Sequence, residues 1–201
     1  MVTLSREDIL RAISADGGLD VSGAELPGVD LSGVSLSGLR LPGSDLSGAN
    51  FANTQLFGAN FVGTALRGAR FHHAGIFSSD LTGADLSGAD FTGADLFGSN
   101  FSGANIAGAN FTGTNLSGAN FSGANLSGAN FTNANLTYTD FSRANLSGAN
   151  VTDADLSLSN LAGASLLWVN LSAINFKSAN LSARQPLPQR PPQGQSRQAQ
   201  P

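Results

Sequence analysis

An apolar residue at every fifth position from Val21 to Leu181 constrains this chain more than any other feature. Each of these positions, which we call centres, is Leu, Phe, Ile or Val, and no insertion shifts the register. A period of five matches neither the 3.6-residue turn of a helix nor the two-residue alternation of a strand. The backbone must therefore turn a corner once in each five-residue unit. Four corners per coil would place residues that are twenty apart directly above one another.

The other positions of the unit support the same geometry. The residue two before each centre is usually Ala, Ser or Thr, which leaves room for the inward centre. The residue just before the centre is mostly Asn or Asp, and the two residues after it are mostly Ser or Thr and then Gly. Glycine suits a turn residue with positive φ, as the third residue of a type II turn requires.

The segments "ADLSGADFTGADL" and "ANFSGANLSGANF" resemble the pentapeptide-repeat family, whose pattern is A(D/N)LXX. The resemblance implies an all-β solenoid, a right-handed quadrilateral β-helix of about eight coils in which short β-bridges stack successive coils. At about 4.8 Å per coil, such a rod is roughly 40 Å long. Stacked Asn residues such as Asn110, Asn130 and Asn150 are expected to hydrogen-bond along the rod.

The sequence predicts three segments. Residues 1–19 contain a short N-terminal capping helix from Ser5 to about Ala15, with Ser5 as N-cap and with Ile9, Leu10 and Ile13 on one face. Residues 20–182 form the β-helix. Residues 183–201 hold five of the seven Pro and are expected to form a disordered Pro/Gln-rich tail.

The C-terminal end of the rod is predicted to be large and apolar. Val169 and Ile174 replace the usual Ala, and Leu167, Trp168 and Phe176 add bulk nearby. Some family members dimerise through this end, so the resemblance implies a homodimer contact there. The alternative is that Trp168 and its neighbours fold over the last coil.

Composition excludes several functions. A net charge of −4 without a basic cluster argues against direct nucleic-acid binding. There is no Cys for a disulfide or thiolate site, and no apolar run long enough to cross a membrane. The N-terminus lacks the apolar core of a signal peptide, so a cytoplasmic protein is expected. The family resemblance points to bacteria.

The titratable residues do not form a pattern typical of catalysis. Asp80, Asp85, Asp90 and Asp95 would face the four directions of a single coil. The adjacent His72 and His73 have no carboxylate partner that the sequence identifies, and Arg67 and Arg70 would form only a small basic patch. We therefore expect no enzyme activity, no cofactor and no metal site.

An apolar stripe is the main candidate site. Phe57, Phe77 and Phe97 each follow a centre directly and are twenty residues apart, and Tyr138 and Leu158 replace glycine one position further along. Exposed apolar patches tend to mark association surfaces. The alternatives are that the rings only stabilise successive coils, or that the Pro-rich tail packs back onto them.

The leading hypothesis is a non-enzymatic rigid scaffold that binds a protein partner through this apolar face. The second comes from the resemblance: some pentapeptide-repeat proteins mimic duplex DNA and bind or protect type II topoisomerases such as DNA gyrase. Between Asp20 and Leu181 there are 11 acidic and 5 basic residues, a net charge of 5 − 11 = −6. A third hypothesis is ice binding by a rank of threonines at Thr92, Thr112, Thr132 and Thr152.

Overall fold

The computed structural model describes Glu7, Ile9 and residues 20–172 and 174–182. From Asp20 to Asn160, the residue before each centre except Asn150 pairs in parallel with the residue twenty positions later, beginning with Asp20–Arg40, Glu25–Asp45, Asp30–Asn50 and Ser35–Gln55. The chain forms a right-handed quadrilateral β-helix, with four bridges in every twenty residues. We number its sides 1 to 4; their first centres are Val21, Leu26, Leu31 and Leu36, and each side adds a centre every twenty residues.

Each β element is a single bridge residue, and the described residues contain no longer strand. Two-residue turns separate the sides, closed by bonds such as that from the Ala124 amide to the Phe121 carbonyl at 3.0 Å. Between coils, the Phe121 amide donates to the Asp140 carbonyl at 2.7 Å, and the Asn120 amide donates to the Ser99 carbonyl at 2.9 Å. This pattern repeats along most of the rod, so the turns satisfy their backbone groups by stacking.

Two columns of phenylalanine fill the core from opposite sides. Rings in one column stack nearly parallel, as in Phe91–Phe111 with centroids 4.9 Å apart and planes at 1°. Rings in opposite columns meet edge to face, as in Phe101–Phe111 at 6.4 Å and 90°. Such pairs contribute about 0.5–1.5 kcal/mol each beyond the area they bury. The predicted inward orientation of the centres is therefore confirmed for this part of the rod.

Hydroxyl side chains replace Ala at several inward positions, and the structure explains why they are tolerated. Thr54, Thr64 and Ser79 are almost fully buried, and each hydroxyl donates to the carbonyl oxygen of the residue 23 positions earlier, at 2.7–2.9 Å. No buried side-chain polar atom of the described residues lacks a hydrogen-bond partner. These hydroxyls therefore join successive coils.

The two ends of the rod differ. Glu7 and Ile9 are helical, and Ile9 is buried with the core residues, while the rest of the predicted Ser5–Ala15 helix lies outside the described residues. At the other end the last centres, Leu171, Phe176 and Leu181, are only partly buried. Asn170 forms no bridge, unlike its counterparts on side 3. The predicted tail, 183–201, also lies outside the described residues.

Candidate interaction surfaces

The five residues of the predicted apolar stripe occupy one column of turns, between sides 4 and 1. We call Phe57, Phe77, Phe97, Tyr138 and Leu158 the apolar ridge. Phe77 is partly buried, while the other four are exposed, with 49%, 52%, 65% and 45% of the surface of Phe57, Phe97, Tyr138 and Leu158 accessible. The remaining large exposed hydrophobic residue of the described chain is Trp168, in the turn after side 2.

Two residues of the ridge, Tyr138 and Leu158, have positive φ, as do eight other non-glycine residues among those described. The second turn residue has positive φ throughout the rod, and glycine occupies most of these positions, as predicted. Tyr138, Leu158 and Trp168 adopt the same conformation, with φ of 58°, 61° and 64°. A residue with a side chain is strained there by roughly 1–2 kcal/mol. The sequence predicted that Tyr138 and Leu158 lie on the surface, but it did not reveal that these three side chains stand at strained positions.

Carboxylates flank the apolar ridge on both sides. Asp95 and Asp155 occupy bridge positions on side 4, and Asp80 and Asp140 occupy bridge positions on side 1. In each, Oδ1 accepts a hydrogen bond from the backbone amide two residues later, at 2.8–3.2 Å. Among the described residues none of the four pairs with Lys or Arg, so no cationic side chain neutralises them beside the apolar surface.

Amide ladders run along sides 2, 3 and 4, as the stacked Asn residues predicted, while side 1 has shorter runs such as Asn180 to Asn160 to Asp140. Asn130 Nδ2 donates to Asn110 Oδ1 at 3.3 Å, and Asn150 Nδ2 donates to Asn130 Oδ1 at 3.2 Å. The donors point toward the N-terminal end, where Asp90 Oδ1 accepts from Asn110 at 3.4 Å. Asp80, Asp85 and Asp95 accept from the Asn above them in the same way. Asp80, Asp85, Asp90 and Asp95, which we call the girdle, therefore accept from the coil above them, and Asp140 and Asp155 do the same higher on the rod.

The rank of threonines on side 3 takes part in these ladders. Thr92 and Thr112 donate to the side-chain oxygen two residues earlier at 2.6 and 2.7 Å. The same hydroxyls accept from Asn110 and Asn130 at 2.9 and 3.0 Å. The hydroxyls of Thr92 and Thr112 are therefore hydrogen-bonded on both sides within the protein.

The basic residues near the girdle are partly neutralised. His72 Nε2 lies 3.0 Å from Asp90 Oδ2, a carboxylate partner that the sequence did not identify. Arg67 Nε lies 2.7 Å from Asp85 Oδ2, which reduces the predicted basic patch with Arg70. The pairs escape sequence reasoning because their members are 18 residues apart and adjoin only when one coil is complete.

Hydrogen bonds and charge set the acidity of these two carboxylates. Burial raises the pKa of Asp90, but hydrogen bonds from Thr92 and the nearby charge of His72 outweigh it, and the net shift is downward. The pKa of Asp85 is lowered in the same way: burial raises it, while hydrogen bonds from Ser87 and the Arg67 guanidinium lower it more. Both groups are therefore ionised at neutral pH.

The C-terminal end offers a second apolar surface. Val169, Ile174 and Phe176 are partly buried against the core, Leu167 is partly exposed, and Trp168 has 79% of its surface accessible. Trp168 lies in the turns between sides 2 and 3, at the corner opposite the apolar ridge. The structure therefore brings the predicted end residues together at the last coil, but it separates them from the ridge.

The described residues offer little for chemistry. They contain no group of three or more His, Asp or Glu side chains placed to hold a metal ion. A shallow depression of about 410 Å³ is lined by Ser122, Gly123, Ser142, Arg143 and Ala162, without an acid–base pair. No helix in this part of the protein is long and apolar enough to cross a membrane.

Comparisons with known proteins bear mainly on the fold. The family model described as pentapeptide repeats matches eight copies, over residues 18–53, 35–73, 78–113, 114–153 and 139–182. No curated protein matches the chain. The solved structure of a trypsin-treated variant of QnrB1, a plasmid-mediated fluoroquinolone resistance protein, is 21% identical with a TM-score of 0.59, covering 81% of this chain and 82% of QnrB1. HetL, involved in heterocyst differentiation regulation in the cyanobacterium Nostoc, is 28% identical with a TM-score of 0.43, covering 92% of this chain and 94% of HetL.

Proposed function

Because this chain belongs to the pentapeptide repeat family, whose model matches it from residue 18 to residue 182, we propose that it is a non-enzymatic scaffold that binds a protein partner through the apolar ridge. One observation carries the proposal. Exposed large apolar residues are concentrated in a single column of turns, and two of them, Tyr138 and Leu158, occupy strained positions where glycine would cost less. Contiguous exposed apolar residues tend to mark association surfaces.

The test replaces the phenylalanines of the ridge. Phe57→Ser, Phe77→Ser and Phe97→Ser together should leave the circular dichroism spectrum of the rod unchanged and abolish the capture of wild-type partners from cytosol. A matched control, Thr92→Ser, Thr112→Ser and Thr132→Ser, changes the same turn position in another column and should capture the same proteins as wild type. Identical capture by the phenylalanine variant and wild type would refute binding through the ridge.

We propose in addition a homodimer through the C-terminal end. Support comes from the last coil, where Val169, Ile174 and Phe176 are only partly buried and Trp168 is exposed. A second copy placed end to end would cover these residues, since a solenoid needs its terminal coil covered. Ile174→Glu should convert a dimer to a monomer in sedimentation equilibrium, whereas a wild-type monomer at every concentration would disprove the dimer.

The finer architecture is also a proposal: about eight coils between residues 20 and 182, closed at the N-terminal end by a helix over Ser5–Ala15. The twenty-residue spacing of the bridges supports the number of coils. The helical conformation of Glu7 and the burial of Ile9 support the cap. Ile9→Asp should lower the free energy of unfolding by roughly 3 kcal/mol, because it buries an unpaired charge.

The alternative function is an acidic rod that mimics DNA and binds a type II topoisomerase. The likeness to QnrB1 supports the shared fold. The charge distribution favours this function less, because Asn replaces Asp at most bridge positions above Asp95. In addition, Asp20 and Asp85 are paired with arginines. Protection of gyrase supercoiling activity from a quinolone, lost on raising the salt concentration, would establish this alternative.

A further inference from the structure

We propose that the chain's own C-terminal segment, residues 183–201, docks on the apolar ridge when no partner is bound. The inference rests on the ridge being a binding surface, as proposed above, and it names the first occupant of that surface. Three independent features support it: the charge around the ridge, the composition of the segment, and the distance that the segment must span.

The surroundings of the ridge select a cationic ligand. Asp95 and Asp155 flank it on side 4, and Asp80 and Asp140 flank it on side 1. The turn amides donate to Oδ1 of each carboxylate, which leaves Oδ2 for a donor from a ligand. A segment that lies along the ridge would therefore pass two carboxylates on each side, with apolar side chains beneath it, after passing one cation, Lys177, in the same column of turns.

The C-terminal segment has the complementary composition. The sequence ARQPLPQRPPQGQSRQAQP contains Arg184, Arg190 and Arg197, no acidic residue, and an apolar Pro-Leu-Pro. Proline-rich segments bind surfaces lined with aromatic side chains, because an extended proline-rich chain loses little conformational entropy on binding. Arginine supplies donors for the carboxylates, and its guanidinium packs well on aromatic faces.

The segment is long enough to cover the ridge. Ser182 stacks on Gly163 through a backbone hydrogen bond of 2.9 Å, one coil beyond the level of Leu158. About six coils, or roughly 30 Å, separate Ser182 from the level of Phe57. Nineteen extended residues span up to about 59 Å at 3.1 Å each. Arg184 and Arg190 are then up to about 19 Å apart, comparable with the roughly 14 Å of three coils between Asp155 and Asp95.

Distance measurement on the full chain tests the inference, and the absence of cysteine makes site-specific labelling simple. One nitroxide is attached at Gln193→Cys and a second at either Ser117→Cys or Ser127→Cys. Ser117 lies in the ridge column between Phe97 and Tyr138, and Ser127 has the same turn position at the opposite corner of the same coil. Electron–electron double resonance should give a narrow distribution to position 117 with a shorter mean distance than the distribution to position 127, because the rod, at least about 10 Å thick, lies between the docked segment and position 127.

Two sets of variants define the interaction. Arg184→Gln, Arg190→Gln and Arg197→Gln together, or Tyr138→Gly with Leu158→Gly, should make the two distributions broad and alike. Equal, broad distributions in the wild-type chain would overturn the inference. So would a short distance to position 117 that disappears when labelled chains are diluted with unlabelled protein, because the segment would then belong to another copy.

The result can be separated from the test of the proposed function. If the phenylalanine variant loses partner capture while the wild-type chain shows no docking, the ridge binds a partner but the segment does not cover it. If docking is seen while partner capture is the same in the variant and wild type, the segment covers the ridge and partner binding through the ridge is wrong. Removing the three arginines should increase the amount of partner captured if both proposals hold.

Discussion

The rings of Phe57 and Phe77 contact each other on the outside of the rod, with centroids 4.8 Å apart and planes tilted by 40°. Rings stacked in the core have the same spacing but are nearly parallel, as in Phe71–Phe91 at 4.7 Å and 4°. The outer pair therefore lacks the close packing that fixes the inner rings. One such contact is worth about 0.5–1.5 kcal/mol. Among the described aromatic residues, neither Phe97 nor Tyr138 has a ring partner, so coil stabilisation explains only part of the apolar ridge.

Relief of strain in the ridge should separate stability from binding. Tyr138→Gly and Leu158→Gly each remove a side chain from a position with positive φ, which saves about 1–2 kcal/mol. Glycine also gives the unfolded chain more conformational freedom, which reduces the gain in stability by about 0.4–1 kcal/mol. We expect each variant to be more stable than wild type by about 0.5–1 kcal/mol in urea unfolding, and to capture less partner.

Asn133→Gly is the matched control for that prediction. Asn133 has φ of 57° in the turns after side 3, and Asn tolerates this conformation better than Tyr or Leu. Its replacement should change stability by less than about 0.5 kcal/mol and leave partner capture at the wild-type level. A loss of stability in Tyr138→Gly would show that the exposed ring contributes more than its backbone conformation costs.

A comparison of two phenylalanines should show which column carries the fold. Phe111 is fully buried and stacks on Phe91 and Phe131, whereas Phe97 is half exposed. Phe111→Ala should lower the free energy of unfolding by about 3–5 kcal/mol, and Phe97→Ala should lower it by less than about 1 kcal/mol. The measurement is chemical denaturation followed by circular dichroism. Similar losses in the two variants would contradict the assignment of Phe97 to the surface.

Most of the fold could be predicted because the five-residue period and the backbone geometry agree. Once centres such as Phe121 point inward and four turns close a coil, the stacking of residues twenty apart follows, and so do the Asn ladders. Contacts that depend on side-chain rotamers could not be predicted in this way. The His72–Asp90 and Arg67–Asp85 pairs cross from one coil to the next, and side-chain direction decides whether their atoms meet.

Only part of the apolar ridge could be predicted from the sequence, for a similar reason. The positions of Phe57, Phe77 and Phe97 follow from the period, but the strain at Tyr138 and Leu158 requires knowledge of φ. Glycine at the second turn position indicated positive φ for that position in general. The sequence alone leaves open whether a larger residue there changes the turn or adopts the strained conformation. The structure retains the turn because backbone hydrogen bonds to the neighbouring coils hold it in place, including that from the Leu158 amide to the Lys177 carbonyl at 2.8 Å.

The pKa shifts predict how acid affects stability. The pKa values of Asp85 and Asp90 are lower in the folded protein than the ordinary value of 3.8, so the unfolded chain binds protons first as pH falls. The stabilisation from these carboxylates is therefore complete above about pH 5 and is lost as pH falls through about 4 toward the folded pKa. Urea unfolding between about pH 6 and pH 3 should show this loss.

Variants assign the acid sensitivity to these groups. Asp85→Asn with Asp90→Asn should flatten the dependence of unfolding free energy on pH below about 5, and Arg67→Gln should flatten it in part by removing the ion pair with Asp85. Both partners are partly exposed, so the change from Arg67→Gln should be small and should shrink further at high salt. A double variant as acid-sensitive as wild type would show that other carboxylates are responsible.

The direction of the amide ladders predicts where an acid is tolerated on side 3. Asn130 Nδ2 donates to Asn110 Oδ1 at 3.3 Å and to Thr112 Oγ1 at 3.0 Å, so Asn130→Asp would replace a donor with a charged acceptor facing two oxygens. We expect a loss of about 1–3 kcal/mol in unfolding free energy at about pH 7, diminishing below about pH 4 as the new carboxyl becomes protonated.

Asn170→Asp is the control for this substitution, because Asn170 lies in the same column but forms no bridge, and its Oδ1 accepts from the Ser172 amide at 3.0 Å. The free energy of unfolding of the Asn170→Asp variant should differ from that of wild type by less than about 0.5 kcal/mol in the same urea measurement. Equal losses of unfolding free energy at positions 130 and 170 would mean that a carboxylate can replace a ladder amide without cost. Hydrogen-bond direction would then not explain why aspartates stand at the lower ends of the ladders.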